Sequence, residues 1–472
     1  MDPFVSALEV AALIRDGSAS PLEVVDLYLA RVDRLNPQLN AITWRRDEAV
    51  RAEARAATER LRSVDWVRQP FFGLPIPIKD LSPVQGWPLT SGSRGSLDYI
   101  AEETSTTVQR LADAGFLLMG RSATPEIGTI SVTESLAFGA TRNPWDLSRS
   151  PGGSSGGAGA ALAAGLAPAV HGSDGGGSIR VPAACCGLVG LKVSRGRLPM
   201  GPTYTDAMHG GAVEGVLTRT VADTAAILDC LSGVDAGAWY NAPLPTRPFQ
   251  AEVGAPVGRL RIGVATALPN GLPTDADCVA GAEATAKLCA ELGHEVFEAS
   301  PTAWSDAAWM DAFLKVWNTG IAYRPMIDVT KLEPLNAYNR ERAQQVDSLA
   351  YVGAVRELQR FTRRMIAAWG RDFDLLLTPT TGIVAPPIGA FFEGAEEAPV
   401  LPLARAGHMA GFTSAFNVTG QPAISLPLHW TAAGLPIGVQ VVGSPWGEAE
   451  LFRFAAQLEA ARPWRHRRPS VG

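Results

Sequence analysis

Two glycine-serine runs restrict the backbone of this chain more than any other feature, Ser150-Pro-Gly-Gly-Ser-Ser-Gly-Gly157 and Asp174-Gly-Gly-Gly-Ser-Ile-Arg180. Residues without a Cβ let a chain turn successive amides toward one point and let other backbone come close. Each run therefore predicts a tight turn inside a larger fold. Each also carries a serine, Ser154 and Ser178, downstream of a lysine, Lys79, in the apolar stretch Leu74-Pro-Ile-Pro-Ile-Lys-Asp80. No histidine stands beside either serine in the sequence, so the pattern points to serine chemistry on a lysine base.

The flanking sequence supplies a frame for these turns. Ser20-Pro21-Leu22-Glu23 combines a cap serine, a proline at the first helical position and a glutamate three residues past the cap. Leu22, Val25, Leu29 and Val32 then form an apolar stripe, and a charged helical run over about 46–63 belongs outside, giving an N-terminal helical segment of about 1–65. Beyond it, strands are expected at 71–78, placed at an edge or a strand end by Pro75 and Pro77, at 116–119, and at 167–171 as a central strand. Helices are expected at 108–114 and 155–166. Further strands fall at 259–265, 294–298, 373–377, 423–428 and 436–442, with helices at 275–291, capped by Thr274, and at 447–458. The proline- and glycine-rich stretches 240–257 and 380–412 read as loops or lids. This alternation predicts an α/β fold, a large mixed β-sheet surrounded by helices. Without a repeat or a linker that cuts the chain, the expectation is one domain over 1–472, with a variable substrate-shaping region at about 240–412.

Composition narrows the partners. A net charge of -6 over 472 residues, with 46% hydrophobic and 19% charged, gives no reason to expect nucleic acid or an anionic membrane. The basic cluster Arg465-His-Arg-Arg468 reads as a solvated terminus. Five cysteines and six histidines lack metal-ligand spacing or a disulfide pattern, so no metal is expected and a reducing compartment is. The N-terminus has no positive region followed by an apolar run, and the alanine-rich stretch 158–170 is too short to span a bilayer, so the expected location is cytoplasmic.

A serine hydroxyl needs a proton acceptor and somewhere to place the oxyanion it creates. Amides from Gly175, Gly176, Gly177 and Ser178 can converge on one carbonyl oxygen. Lys79 accepts a proton only when neutral, and burial among Leu74, Ile76 and Ile78 favours that form. Asp80 points to the opposite strand face and need not pair with it. Ser154 can bridge, since a hydroxyl donates one hydrogen while accepting another. Other readings stay open here: a flexible turn, or a phosphate cradle lacking the Walker lysine. Gly152-Gly-Ser154-Ser-Gly156 also fits a nucleophile elbow, with His209, His294, His408 or His429 as partner. That elbow needs a strand directly before it, whereas 143–151 is polar and turn-rich.

In its ordered motifs the chain resembles the amidase signature family. These are Pro77-Ile-Lys79-Asp80, Gly139-Ala-Thr-Arg-Asn-Pro-Trp145, the two serine runs, Cys186-Gly-Leu-Val-Gly-Leu-Lys192, Arg219-Thr-Val-Ala-Asp223 and Phe416-Asn-Val-Thr-Gly-Gln-Pro-Ala-Ile-Ser-Leu-Pro427. They cover most of 20–232 and return over about 373–460. The resemblance implies amide hydrolysis through a Ser178 acyl-enzyme, with Ser154, following a cis peptide, as bridge and Lys79 as base. It further implies an oxyanion hole at Gly175, Gly176 and Gly177, structural support from Ser155, Asp174 and Arg180, and no cofactor. Val193-Ser194, where the family often has Pro-Thr, and Gly215-Val-Leu-Thr-Arg219, where it has Gly-Pro-x-x-Arg, are departures that bear on subgroup. Within the family the chain is most similar to bacterial nylon-oligomer hydrolases and aryl acylamidases. Trp304, Trp309, Phe313, Trp317, Phe391 and Phe392 are then candidates to line an apolar cleft for a small aryl or aliphatic amide. Carbamates and esters are alternative substrates. A glutamine-hydrolysing amidotransferase subunit is a further alternative, and a homodimer is left open.

Overall fold

In this computed structural model, which describes residues 1–202, 206–324 and 327–472, most of the expected strands and helices form. A small sheet has the order β1-β3-β2, from β1 (Ile42–Arg45), β2 (Pro75–Lys79) and β3 (Leu117–Ser122). β4 (Glu134–Ser135) and β5 (Gly139–Ala140) pair as a ribbon. The main sheet comprises β6 (Val170–Asp174), β7 (Val189–Lys192), β8 (Val213–Thr218), β9 (Arg261–Val264), β10 (Glu295–Glu298), β11 (Leu375–Pro379), β12 (Ala423–Trp430) and β13 (Pro436–Val442). Its order is β10-β9-β11-β13-β12-β7-β8-β6, parallel across β10, β9 and β11 and antiparallel elsewhere.

Helices cover both faces of this sheet, as β13 shows. Neighbouring strand residues point to opposite faces. A Cβ on Gly281, in the helix Ala276–Glu291, would lie 2.9 Å from Ile437, whereas a Cβ on the next strand residue, Gly438, would lie 2.4 Å from that of Ala184 in the helix Arg180–Cys186. The second helix thus approaches so closely that position 438 has no room for a side chain. Such two-sided cover explains why β11 and β13 are buried along their whole lengths.

The N-terminal helices are tied to the body through polar contacts. Ser20 caps the helix Pro21–Leu39 with the expected capping box. Arg31 from that helix donates to the carbonyls of Ala164 and Gly165, satisfying the end of the helix Gly156–Ala163. Asp223 in turn accepts the amides of Ala7 and Leu8 at the start of the first helix.

Three expectations are corrected. The strand expected to be central at 167–171 is β6, which ends the sheet order; β2 packs against it, and a buried edge carries the same apolar run as a central strand. Asp275, not Thr274, caps the helix Ala276–Glu291, because its carboxylate accepts the Asp277 amide while Thr274 donates to the Thr266 carbonyl. The stretch 380–412 is not all loop: Leu401–Met409 is helical, and Pro402 occupies its first turn, where a missing amide costs nothing. Among the described residues, no helix is long and apolar enough to cross a membrane.

Candidate active site

β2 ends at Lys79, and all five of its residues are buried. The Lys79 amine lies 2.8 Å from Ser154 Oγ and 3.0 Å from Ser173 Oγ, with the Ser173 carbonyl at 3.4 Å. Asp80 turns away, accepting the Thr90 amide and hydroxyl and lying 3.8 Å from Arg121. Burial pushes the lysine down to about 7, while the charges of Asp174 and Glu214 act in the opposite direction. Exposure rises from 0% at Lys79 through 2% at Ser154 to 9% at Ser178, so the constellation opens to solvent at Ser178.

Both serine runs converge on this lysine. The Gly153–Ser154 peptide is cis. Ser155 clamps the second run: its hydroxyl donates to the Ser173 carbonyl at 3.2 Å, and its amide donates to the Ser178 carbonyl at 3.3 Å. β6 delivers Ser173 and Asp174, and the helix Arg180–Cys186 begins just past Ser178.

Asp174 and Arg180 brace the loop from beneath. Arg180 Nη2 and Nε reach the carboxylate at 2.9 and 3.0 Å, and the guanidinium also donates to Gln440, Asn417 and the Thr413 carbonyl. Asn417 donates to both the carboxylate and the carbonyl of Asp174. Burial alone would raise the Asp174 carboxyl; Arg180 and Asn417 overcome it and hold the group well below the usual carboxylate range.

This bracing engages one of the amides expected to face the oxyanion. The Gly177 amide donates to Asp174 Oδ1 at 2.7 Å and is already committed. A buried carboxylate needs such donors to stay charged. Its φ of +135° suits glycine, and a Cβ there would stand 2.3 Å from Thr413 Oγ1. The amides of Gly175, Gly176 and Ser178 donate to no other described residue, and nothing lies within 4 Å of a Cβ placed on Gly176. Those three are free to face a substrate oxygen.

Of the six aromatic candidates, Trp317 reaches the loop: a Cβ on Gly175 would touch its ring at 3.4 Å. Trp317 also packs with Ile127, Ile321 and Ile327. Ile127 has φ +57°, unusual for a β-branched residue, and precedes Gly128, whose Cβ position is 3.1 Å from Ser154 Oγ. Trp317 and Ile127 thus belong to one apolar cluster that adjoins the glycine loop at Gly175. Trp304, Trp309 and Phe313 belong mainly to a core cluster, and Phe391 to another with Phe392 packed on it. Met208, 3.6 Å from the Gly175 Cβ position, also lines a cleft of about 330 Å³ with Phe313, Leu358 and Trp239; none of the three candidate catalytic residues lines it.

Sequence reasoning assigned no role to Ser173, Thr413, Asn417, Gln440 or Glu214. Asn417 lies within one of the ordered motifs, so its position was marked although its partner was not. Among the described residues no group of three or more His, Cys, Asp or Glu side chains is arranged to hold a metal ion.

The amidase family pattern matches residues 23–452. The chain is 39% identical to the 6-aminohexanoate-cyclic-dimer hydrolase of Pseudomonas sp. (strain NK87), over 100% of this chain and 97% of that protein. Among solved structures, a 6-aminohexanoate cyclic dimer hydrolase complexed with substrate superposes with a TM-score of 0.93 at 38% identity, covering 100% of both chains. A bacterial aryl acylamidase of the amidase signature family gives 0.86 at 25% identity, covering 98% of this chain and 97% of that one.

Proposed function

The chain belongs to the amidase signature family and is an amide-bond hydrolase, and from that premise we propose that Ser178 is its nucleophile, Ser154 its proton relay and Lys79 its base. The carrying observation is a fully buried amine 2.8 Å from the Ser154 hydroxyl, beneath a loop with three uncommitted amides. Burial leaves a substantial share of this lysine neutral at neutral pH, and a neutral amine can accept a proton.

Lys79 takes a proton from Ser154 as Ser154 takes that of Ser178, whose Oγ bonds to the amide carbonyl carbon. The carbonyl electron pair moves onto oxygen and is met by the amides of Gly175, Gly176 and Ser178, each good donor contributing about 3 kcal/mol to the transition state. Collapse breaks the C–N bond, and the proton returns through Ser154 to the departing amine. Water then cleaves the acyl ester by the same relay, leaving acid and free enzyme. No hydrogen bond joins the two serine hydroxyls among the described residues, so the relay closes when substrate is bound, as catalytic hydrogen bonds commonly do.

Substrates are small amides with an apolar acyl chain or an aryl leaving group. The apolar cluster of Trp317 and Ile127 beside the Gly175 loop supports this, as does similarity to hydrolases named for a cyclic aminohexanoate dimer and for aryl acylamides. A panel of an anilide, linear and cyclic aliphatic amides, a carbamate and glutamine, given to wild type and Ser178→Ala, tests the reading. Wild type should hydrolyse the anilide or the aliphatic amides best, and the variant should lose at least about a thousandfold. Turnover retained by Ser178→Ala overturns the nucleophile, and preference for the carbamate or glutamine overturns the substrate class.

A further inference from the structure

We propose that Glu214 is a positioning residue for the lysine base, a second buried carboxylate that faces Lys79 across Ser173 and stabilises the ammonium formed during turnover. The inference rests on Lys79 being the base. β6 and β8 run antiparallel with Ser173 directly opposite Glu214. Residues so paired project to the same face with Cβ atoms about 5 Å apart. Ser173 Oγ is itself 3.0 Å from the Lys79 amine, so the carboxylate stands one side chain away from the site of protonation. Ser82, three residues past Lys79, donates its hydroxyl to Glu214 and tethers it to the same strand end.

Two carboxylates neighbour this lysine, and they differ in what neutralises them. Asp174 is paired with Arg180 at 2.9 Å, and Lys192 adds further positive charge on that side. Glu214, 4% exposed, is held by the hydroxyls of Ser82 and Ser105. The nearest basic group in contact with it is His171, whose Nε2 lies 3.9 Å away, beyond hydrogen-bond reach, and whose two ring nitrogens have no hydrogen-bond partner. Burial would raise the Glu214 carboxyl, but His171 and the two hydroxyls keep it below its ordinary value and therefore ionised. Hydroxyls hold a charge in place without cancelling it. Among the described residues Glu214 has no ion pair at hydrogen-bond distance of the kind that Asp174 makes with Arg180, its histidine neighbour standing 3.9 Å away, so it adds a second negative field when the lysine takes its proton.

The test is the pH profile of kcat/KM with an anilide. Removing the negative charge disfavours the ammonium, so Glu214→Gln should move the acid limb to lower pH by about one unit, with a lower plateau because the base is weaker. If the amide leaves too little folded enzyme, Glu214→Met serves the same measurement, since an apolar side chain of similar length makes no demand for hydrogen bonds. Glu214→Asp keeps the charge and should hold the limb within about 0.3 unit of wild type. An unmoved or raised limb in the uncharged variants, or an equal downward shift in Glu214→Asp, overturns the inference. Failure of the base assignment reads differently: Lys79→Met would then keep its activity, or wild type would show no acid limb near neutrality.

Discussion

Lys79 and Lys192 are the same residue in nearly the same setting. Each ends a strand, β2 or β7, each is fully buried, and burial pushes each down to about 7. Their partners separate them. The Lys192 amine donates to the Val193 carbonyl at 3.0 Å, an oxygen that can accept but has no proton to give. The Lys79 amine meets the hydroxyls of Ser154 and Ser173. A depressed lysine is therefore what burial makes of any such side chain. What would fit Lys79 to the proposed role of base is a neighbour that can donate and accept in turn.

The most severe way to break this contrast is Lys79→Met, which should lower amide turnover by about 10²- to 10⁴-fold with folding preserved. Steady-state rates beside circular dichroism check it, and a loss under tenfold would make the two lysines equivalent. Asp174→Asn attacks the common scaffold by leaving Arg180 as an uncompensated buried charge. Urea unfolding should show a loss of about 3–5 kcal/mol, and a loss below about 1 kcal/mol would mean that the loop is braced elsewhere. The pH profile sharpens the contrast further: turnover should rise as Lys79 deprotonates through about 7, whereas a rate independent of pH from 5.5 to 8.5 would refute a lysine base.

The smallest effect on rate belongs to Lys192→Met, with kcat/KM kept within about threefold. Its signature is in stability. A lysine depressed to about 7 in the fold but ordinary when unfolded makes the unfolded chain the better proton binder between those values. Wild-type stability therefore gains from this group as pH rises from about 7 toward 10.5 and bears its full penalty below 7. Lys192→Met should be more stable than wild type at pH 6, by an amount that shrinks at pH 9. Unfolding at the two values measures this, and a gap that widens with pH would reverse the sign.

Much of the site was legible because its groups sit in short ordered motifs. Ser154 and Ser178 announced turns through their glycines, Lys79 announced burial through Leu74, Ile76 and Ile78, and Asp174 and Arg180 flanked the loop they brace. The fold was legible where periodicity and caps agreed, as in the capping box of Ser20 and Glu23. It was less so for β6, since burial at a covered edge and burial at the centre leave the same apolar run. Thr274 and Asp275 are both plausible caps in the sequence, and the choice fell to Asp275 because the Thr274 hydroxyl donates to the Thr266 carbonyl.

What the sequence by itself determined is the set of candidate reactive groups and the local turns that hold them, because glycine, proline and capping preferences act over a few residues. Tertiary structure alone decided that the Gly177 amide bonds to Asp174, that Asn417 closes on the loop from the far end of the chain, and that Glu214 stands opposite Ser173, which contacts Lys79. These depend on strand register and on which donor a buried charge captures, and both are set by distances in the folded molecule that linear order does not carry.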